Sequence, residues 1–277
     1  MRDSLDRDRL SIVSAALLLT LAFSRLVDVP VRQYELPVFG SPLGLTLSGS
    51  TLLLLLAAGL GATGMQSLLQ GQPGVARPRR ATAIYWILPA LLGAASVAWL
   101  GSLDDLGDWT LAMLGALALV PLTFAWEYAA AMVAPATPED GAPAPYVSWR
   151  LLALVLLVGL ISFYTLVDAR LRLLAGGPLL FGLATLLAAR LFWVGARSLR
   201  PAFTYAAVAG FLLVQLYWLL SQLPLSSIRG GMLLLLAFYV IAGLLQQLQR
   251  GGWSSSVARE YGLVGLLGLV LIFLLTP

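Results

Sequence analysis

The stretch SRLVDVPVRQYELPVFGSPLGLTLS, residues 24–48, is where an otherwise apolar chain stops reading as membrane helix. Two alternating runs lie in it. Tyr34, Leu36 and Val38 interleave with Gln33, Glu35 and Pro37, and Leu43, Leu45 and Leu47 interleave with Gly44, Thr46 and Ser48. Alternation with a period of two is a strand signal. Gly40-Ser41 between the runs suits a two-residue II′ turn, and Pro42 can open a second strand without removing a central ladder bond. The stretch therefore predicts a short β-hairpin, with Gly40, Ser41 and Pro42 as its structural residues and the remaining helices arranged to hold it.

Outward from residues 24–48 the chain is hydrophobic. Of its 277 residues 60% are hydrophobic and 11% charged, and a soluble domain of this length carries roughly twice that charged fraction. Runs of about 20 mostly apolar residues, the length that crosses a bilayer, fall at 10–27, 49–69, 82–101, 109–133, 149–167, 178–196, 201–222, 230–248 and 257–275. The expected fold is thus an all-α transmembrane bundle of about nine spans, with the hairpin outside the cytoplasm between the first two. The first run follows a mixed Arg/Asp segment without a small-x-small cleavage pattern, so it reads as a retained helix and not a signal peptide.

Arginine placement orients the bundle. With the N-terminus inside, eleven Arg fall in inner segments (Arg2, Arg7, Arg9, Arg77, Arg79, Arg80, Arg150, Arg197, Arg200, Arg250 and Arg259). Five fall in outer ones (Arg25, Arg32, Arg170, Arg172 and Arg229). That asymmetry favours N-in and C-out. The loops are short, so residues 1–277 read as one polytopic domain. A faint parallel repeat of 1–133 and 149–250, followed by a last helix at 257–275, rests on Leu26-Val27-Asp28 and Leu166-Val167-Asp168. Each triplet ends a span and is followed by Arg and then by a Pro-Leu pair.

Several chemistries are excluded by composition. With no Cys and no His, thiolate and imidazole metal sites, disulfides and His-based acid/base catalysis are ruled out. All 17 basic residues are Arg, which removes Schiff-base chemistry. They are scattered between apolar runs and not gathered on a solvated face, so the formal charge of +4 does not indicate nucleic-acid binding. No Walker motif or nucleophile elbow is present. The sequence assigns no catalytic residue, metal ligand or cofactor.

The candidates for ligand binding or ion pairing are the polar residues in or beside the spans. Glu127 and Arg190 lie within the fourth and sixth runs at similar depth. The favoured expectation is that each snorkels to the inner interface; the alternative is an intramembrane ion pair or an acidic cavity wall. Arg25 and Asp28, three residues apart on one helix face, can pair with each other. With Arg32, Glu35, Asp168, Arg170 and Arg172 they form either a solvated rim or the ring of an outer vestibule beneath the hairpin. Gln215 in the seventh run, like Gln246 and Gln247 near the end of the eighth, is a candidate for bonding between helices. Asp104, Asp105 and Asp108 form an acidic outer turn.

Five segments carry a family resemblance: Ser24-Arg25-Leu26, residues 39–49, Trp86-Ile87-Leu88-Pro89, Gly230-Gly231-Met232 through Phe238-Tyr239 to Gly243-Leu244-Leu245-Gln246-Gln247, and Arg259-Glu260-Tyr261-Gly262-Leu263-Val264-Gly265. Through them the chain resembles an uncharacterised bacterial family of polytopic membrane proteins, catalogued as a domain of unknown function. The resemblance implies a multi-pass protein of the bacterial cytoplasmic membrane and brings no activity. Scarce buried charge and short loops point first to a non-catalytic structural or accessory component, with membrane lipid and a protein partner or a second copy as its contacts. A carrier or binder of a small apolar or lipid-like molecule is the second reading, and an enzyme acting on a membrane lipid the third.

Overall fold

The computed structural model describes residues 7–26, 32–38, 41–70, 82–133, 145–193, 199–249, 251 and 254–275, with the backbone alone at 32–38, 41–47, 145–148, 199 and 275. The described helices are α1 (Arg7–Phe23), α2 (Gly49–Leu69), α3 (Ile87–Gly101, entered through a 3-10 turn at Ala83–Trp86), α4 (Leu106–Val133), α5 (Pro145–Asp168), α6 (Leu173–Trp193), α7 (Leu199–Leu220), α8 (Ser227–Gln249) and α9 (Ser255–Leu275). Eight of them, α2 to α9, are long and apolar enough to cross a membrane, and the chain is a multi-pass helical membrane protein. The first, at 17 residues, is roughly 25 Å long, short of the ~30 Å hydrocarbon core. The sixth helix begins earlier than the apolar run suggested, at Leu173, and carries Pro178 inside it.

Helix starts follow capping chemistry that the sequence displays. Ser48 Oγ accepts from the Thr51 N–H at 3.3 Å to open α2, and Asp105 Oδ2 accepts from the Asp108 N–H at 3.0 Å to open α4. Ser226 and Ser254 do the same for α8 and α9. Each satisfies one of the backbone donors that a helix N-terminus leaves unpaired. In the acidic turn, Asp105 thus serves as a helix cap.

Consecutive helices run antiparallel. Arg9 reaches the Ser67 carbonyl from α1 to α2, and a β-carbon built on Gly231 of α8 would lie 2.9 Å from Tyr164 Cα in α5. In one group α1 packs on α2 and α4, and α3 on α2 and α4. In a second group α5 packs on α6 and α8, and α7 on α6 and α8. The groups meet where α3 touches α5 and α6 and where α4 touches α5, while α9 packs along α8. The end at which α1, α3, α5, α7 and α9 begin is termed proximal, and the opposite end distal.

The buried core is wholly helical, from Leu17 and Leu21 on α1 to Phe238 and Ala242 on α8. This corrects the expected fold, which set a hairpin outside the cytoplasm between the first two spans and arranged the helices to hold it. Residues Arg32–Val38 and Ser41–Leu47 pair antiparallel with each other, and the described packing interfaces of the bundle are between helices. Ser41, expected in the turn, is instead opposite Val38, and Pro42 faces Pro37, so that position has no N–H on either side. Gly40 lies outside the described residues. A lone two-stranded pairing is marginal by itself, and alternation reports local conformation without reporting burial. The fold is therefore the helical bundle, and the hairpin is withdrawn as its organising element.

Close approach between helices depends on missing side chains. A β-carbon on Gly61 of α2 would lie 2.6 Å from the Pro89 carbonyl carbon of α3, and one on Gly93 of α3 would lie 2.7 Å from the Ala57 oxygen of α2. Gly59, two residues away on the exposed face, has nothing within 4 Å. Two alanine substitutions two residues apart should therefore act with opposite signs. Gly61→Ala should lower unfolding stability in mild detergent by about 1–3 kcal/mol through overpacking. Gly59→Ala should raise it by up to about 1 kcal/mol by removing a helix-interior glycine.

Candidate functional site

Glu127 on α4 and Arg190 on α6 are each 1% exposed and joined by an ion pair. Arg190 Nε donates to Glu127 Oε1 at 3.1 Å and Oε2 at 3.0 Å, and Nη2 donates to Oε2 at 2.7 Å. The planar guanidinium also lies over the Tyr85 ring, 4.8 Å from its centroid, where the ring's negative face adds attraction that grows once water is excluded. Three elements therefore converge on one charge pair: α4, α6 and the 3-10 turn that leads into α3. The expectation that both residues snorkel is overturned. Glu127 lies six residues from Val133, roughly 9 Å along the axis, and its side chain turns inward to Arg190 instead of out to the interface.

The pair bridges the two helix groups, because α4 belongs to the first and α6 to the second. Each ion would cost several kcal/mol to desolvate alone, so the geometry is stable only because the two partners satisfy each other. A guanidinium with its fork on a carboxylate and its face on an aromatic ring makes both of its characteristic contacts at once.

Toward the distal end the same two groups stand apart and enclose a cavity of about 810 Å³. Ser96 and Trp99 of α3 and Gly115 and Leu119 of α4 line one side; Leu157 and Tyr164 of α5 and Ile228 and Met232 of α8 line the other. The cavity reaches the protein surface sideways, because its lining residues Leu122, Leu157 and Ile228 are 39%, 41% and 51% exposed. Its wall on α4 is built of small residues, Ala112, Gly115 and Ala116, at positions that share one helix face. A β-carbon on Gly115 would meet nothing within 4 Å, so that residue faces open space.

The remaining sequence-predicted residues are dispersed. Arg25, exposed at the distal end, donates through Nη2 to the Asp104 carbonyl at 3.2 Å and sits 5.7 Å from the Trp109 ring; it ties the end of α1 to the α3–α4 turn. Asp168 ends α5, and Arg170 follows with a left-handed backbone, φ 44. Among the described residues neither forms an ion pair with Arg25. Asp28 lies outside the described residues, as does the side chain of Arg32. Gln215 is exposed on α7 and does not point into the bundle, whereas Gln246 Nε2 donates to the Leu191 carbonyl of α6 at 3.4 Å. Sequence reasoning missed Tyr85 and the cavity lining. The recurrence of small residues on one face of α4 was the available sign of the cavity.

Among known proteins, a family model described as a protein of unknown function, DUF5656, matches residues 29–275. No curated protein and no solved structure matches the chain.

The ion pair makes a stability prediction with an internal control. Glu127→Ala leaves Arg190 buried and uncompensated and should destabilise the bundle by about 3–5 kcal/mol. Replacing both partners, Glu127→Met with Arg190→Met, removes both charges and should return stability to within about 1–2 kcal/mol of the natural chain, since paired apolar replacement is often neutral. Reversible unfolding of the reconstituted protein measures both.

Proposed function

Because the chain belongs to the DUF5656 family of unknown function, we propose its role from its own geometry: it is a membrane-embedded protein that binds the apolar chain of a lipid-like molecule in the distal cavity. The observation that carries this reading is the laterally open, apolar-lined space of about 810 Å³ between the two helix groups. That volume falls in the range of small-molecule sites, about 300–1,000 Å³. A hydrocarbon chain entering through Leu122, Leu157 and Ile228 passes from lipid to apolar protein without desolvating a polar group, so the cost of entry is small. At the distal end Trp99 and Tyr164 offer rings with a polar edge, the combination that suits a lipid's chain-to-headgroup boundary.

The arginine asymmetry supports an orientation in which the proximal end faces the cytoplasm of a bacterial inner membrane. The cavity then lies in the outer leaflet. Binding is favoured over catalysis because the buried carboxylate and guanidinium engage each other and sit below the cavity, away from its wall. A second reading, accessory membership of a larger membrane assembly, draws on α9. It packs along α8 and leaves Leu263, Leu266 and Leu274 61%, 64% and 75% exposed, a surface that lipid or a partner helix can cover.

Native mass spectrometry of gently solubilised full-length protein tests the binding reading. The natural chain should retain a lipid-like mass, and Gly115→Leu, which fills open space without a clash, should lose most of it while unfolding at an unchanged temperature. An empty natural chain, or undiminished retention by Gly115→Leu, overturns the reading. A retained protein partner unaffected by Gly115→Leu supports the accessory role instead.

A further inference from the structure

Helix α4 carries both features of the interface between the two groups, separated by a proline. Its distal segment supplies Ala112, Gly115, Ala116, Ala118 and Leu119 to the cavity wall, Leu122 adds the last lining residue just past the proline, and its proximal segment carries Glu127, held by Arg190. Pro121 lies between them inside the helix. A proline there has no N–H for the carbonyl four residues earlier, at Leu117, and its ring crowds that carbonyl, which is why internal prolines mark kinks. The missing bond falls within the proximal part of the cavity wall, beside Ala118, Leu119 and Leu122.

The two segments are held very differently. Below the proline, Phe124 and Tyr128 are buried beside Glu127, and the charge pair fixes this segment to α6. Above it, Leu111, Leu114 and Leu117 are 69%, 62% and 54% exposed, Gly115 and Ala118 on the adjoining face border the cavity, and the buried side chains are the small ones of Ala112, Ala116 and Val120. The distal segment is steadied at its far end by Trp109, over which the Arg25 guanidinium rests. A helix anchored below a weakened joint and bordered by empty space above it has room to swing.

We propose that the distal segment of α4 is a gate for the cavity, pivoting at Pro121, with the Glu127–Arg190 pair as the anchor that keeps the proximal segment still. Motion toward α5 and α8 narrows the opening between Ala118 and Leu157, distal to the proline; motion away admits a chain from the bilayer. This rests on the reading of the cavity as a ligand site for its purpose, but the movement itself is measurable without any ligand. Glu127 and Arg190 act here as positioning residues and not as contacts to the bound molecule.

The absence of cysteine allows site-directed spin labelling without background. One labelled pair, Leu111→Cys with Ile228→Cys, spans the cavity at the distal end. A second, Ala129→Cys with Leu248→Cys, spans the proximal end. Distances are measured by electron–electron resonance in vesicles of phosphatidylethanolamine and phosphatidylglycerol.

The distal distribution should be broader than the proximal one in the natural background. Pro121→Ala, which restores the backbone bond, should narrow the distal distribution and leave the proximal one unchanged. Glu127→Gln should broaden the proximal distribution; if that variant does not fold, Arg190→Lys, which keeps the charge and loses the two-pronged fork, should give the same broadening to a smaller extent. Equal distal and proximal widths in the natural background overturn the gate, as does a distal width unmoved by Pro121→Ala. A proximal distribution unmoved by the folded anchor variant overturns the anchor role even where stability falls. Lipid retention without the Pro121→Ala effect leaves the binding reading standing and the gate refuted; that effect in a chain that retains no lipid does the reverse.

Discussion

A carboxylate and a guanidinium sealed among apolar helices constrain the rest of this molecule. Neither Glu127 nor Arg190 is tolerable alone at its depth, and together they are tolerable only in a narrow geometry: three hydrogen bonds at 2.7–3.1 Å and a ring face beneath the guanidinium. Such a pair contributes less to net stability than its Coulomb attraction suggests, because desolvation offsets most of that gain. It contributes more to uniqueness. Of the ways in which two groups of leucine-rich helices can slide against each other, those that part Glu127 from Arg190 leave buried charge exposed to hydrocarbon and are strongly disfavoured.

Uniqueness of this kind matters in a bilayer, where burying leucine against leucine gains little over leucine against lipid. What is left to hold helices together is close van der Waals contact and the few polar bonds. The chain supplies the first through Gly61, Gly93 and Gly231, which bring backbones against their neighbours, and the second chiefly through the charge pair. Where neither operates, at the distal meeting of the two groups, the helices part and the cavity results. The cavity and the pair are thus two consequences of one distribution of small and polar residues along the same interface.

That account explains what could be read from the sequence. The helices were legible because their apolar length is a local property. Glu127 and Arg190 were legible as anomalies, each a charge inside an apolar run, but their union was not: they are 63 residues apart on helices that are not consecutive, and no periodicity encodes that contact. Residues 24–48 misled in the opposite direction. Their alternation is conspicuous against uniform leucine, and conspicuous patterning was taken for structural centrality, although alternation fixes only which way successive side chains point. Beyond the small residues on one face of α4 the cavity was illegible, because the residues lining it are ordinary for a membrane span; its identity lies in which four helices surround it.

The position of Pro121 shows how these levels combine. Read alone, a proline in a 28-residue helix is a local defect costing about 3 kcal/mol in a regular helix interior. Membrane helices tolerate such a defect where neighbours or cavities accommodate the freed backbone. Here the proline falls where α4 passes from a segment fixed by charge to a segment bordering open space. Placed a turn or two lower, it would weaken the helix at Glu127 and the pair would lose its aim; placed two turns higher, it would divide the cavity wall and leave no rigid lever above the joint. The sequence position is thus intelligible only from the tertiary arrangement, and it links the stability of the proximal end to the accessibility of the distal one.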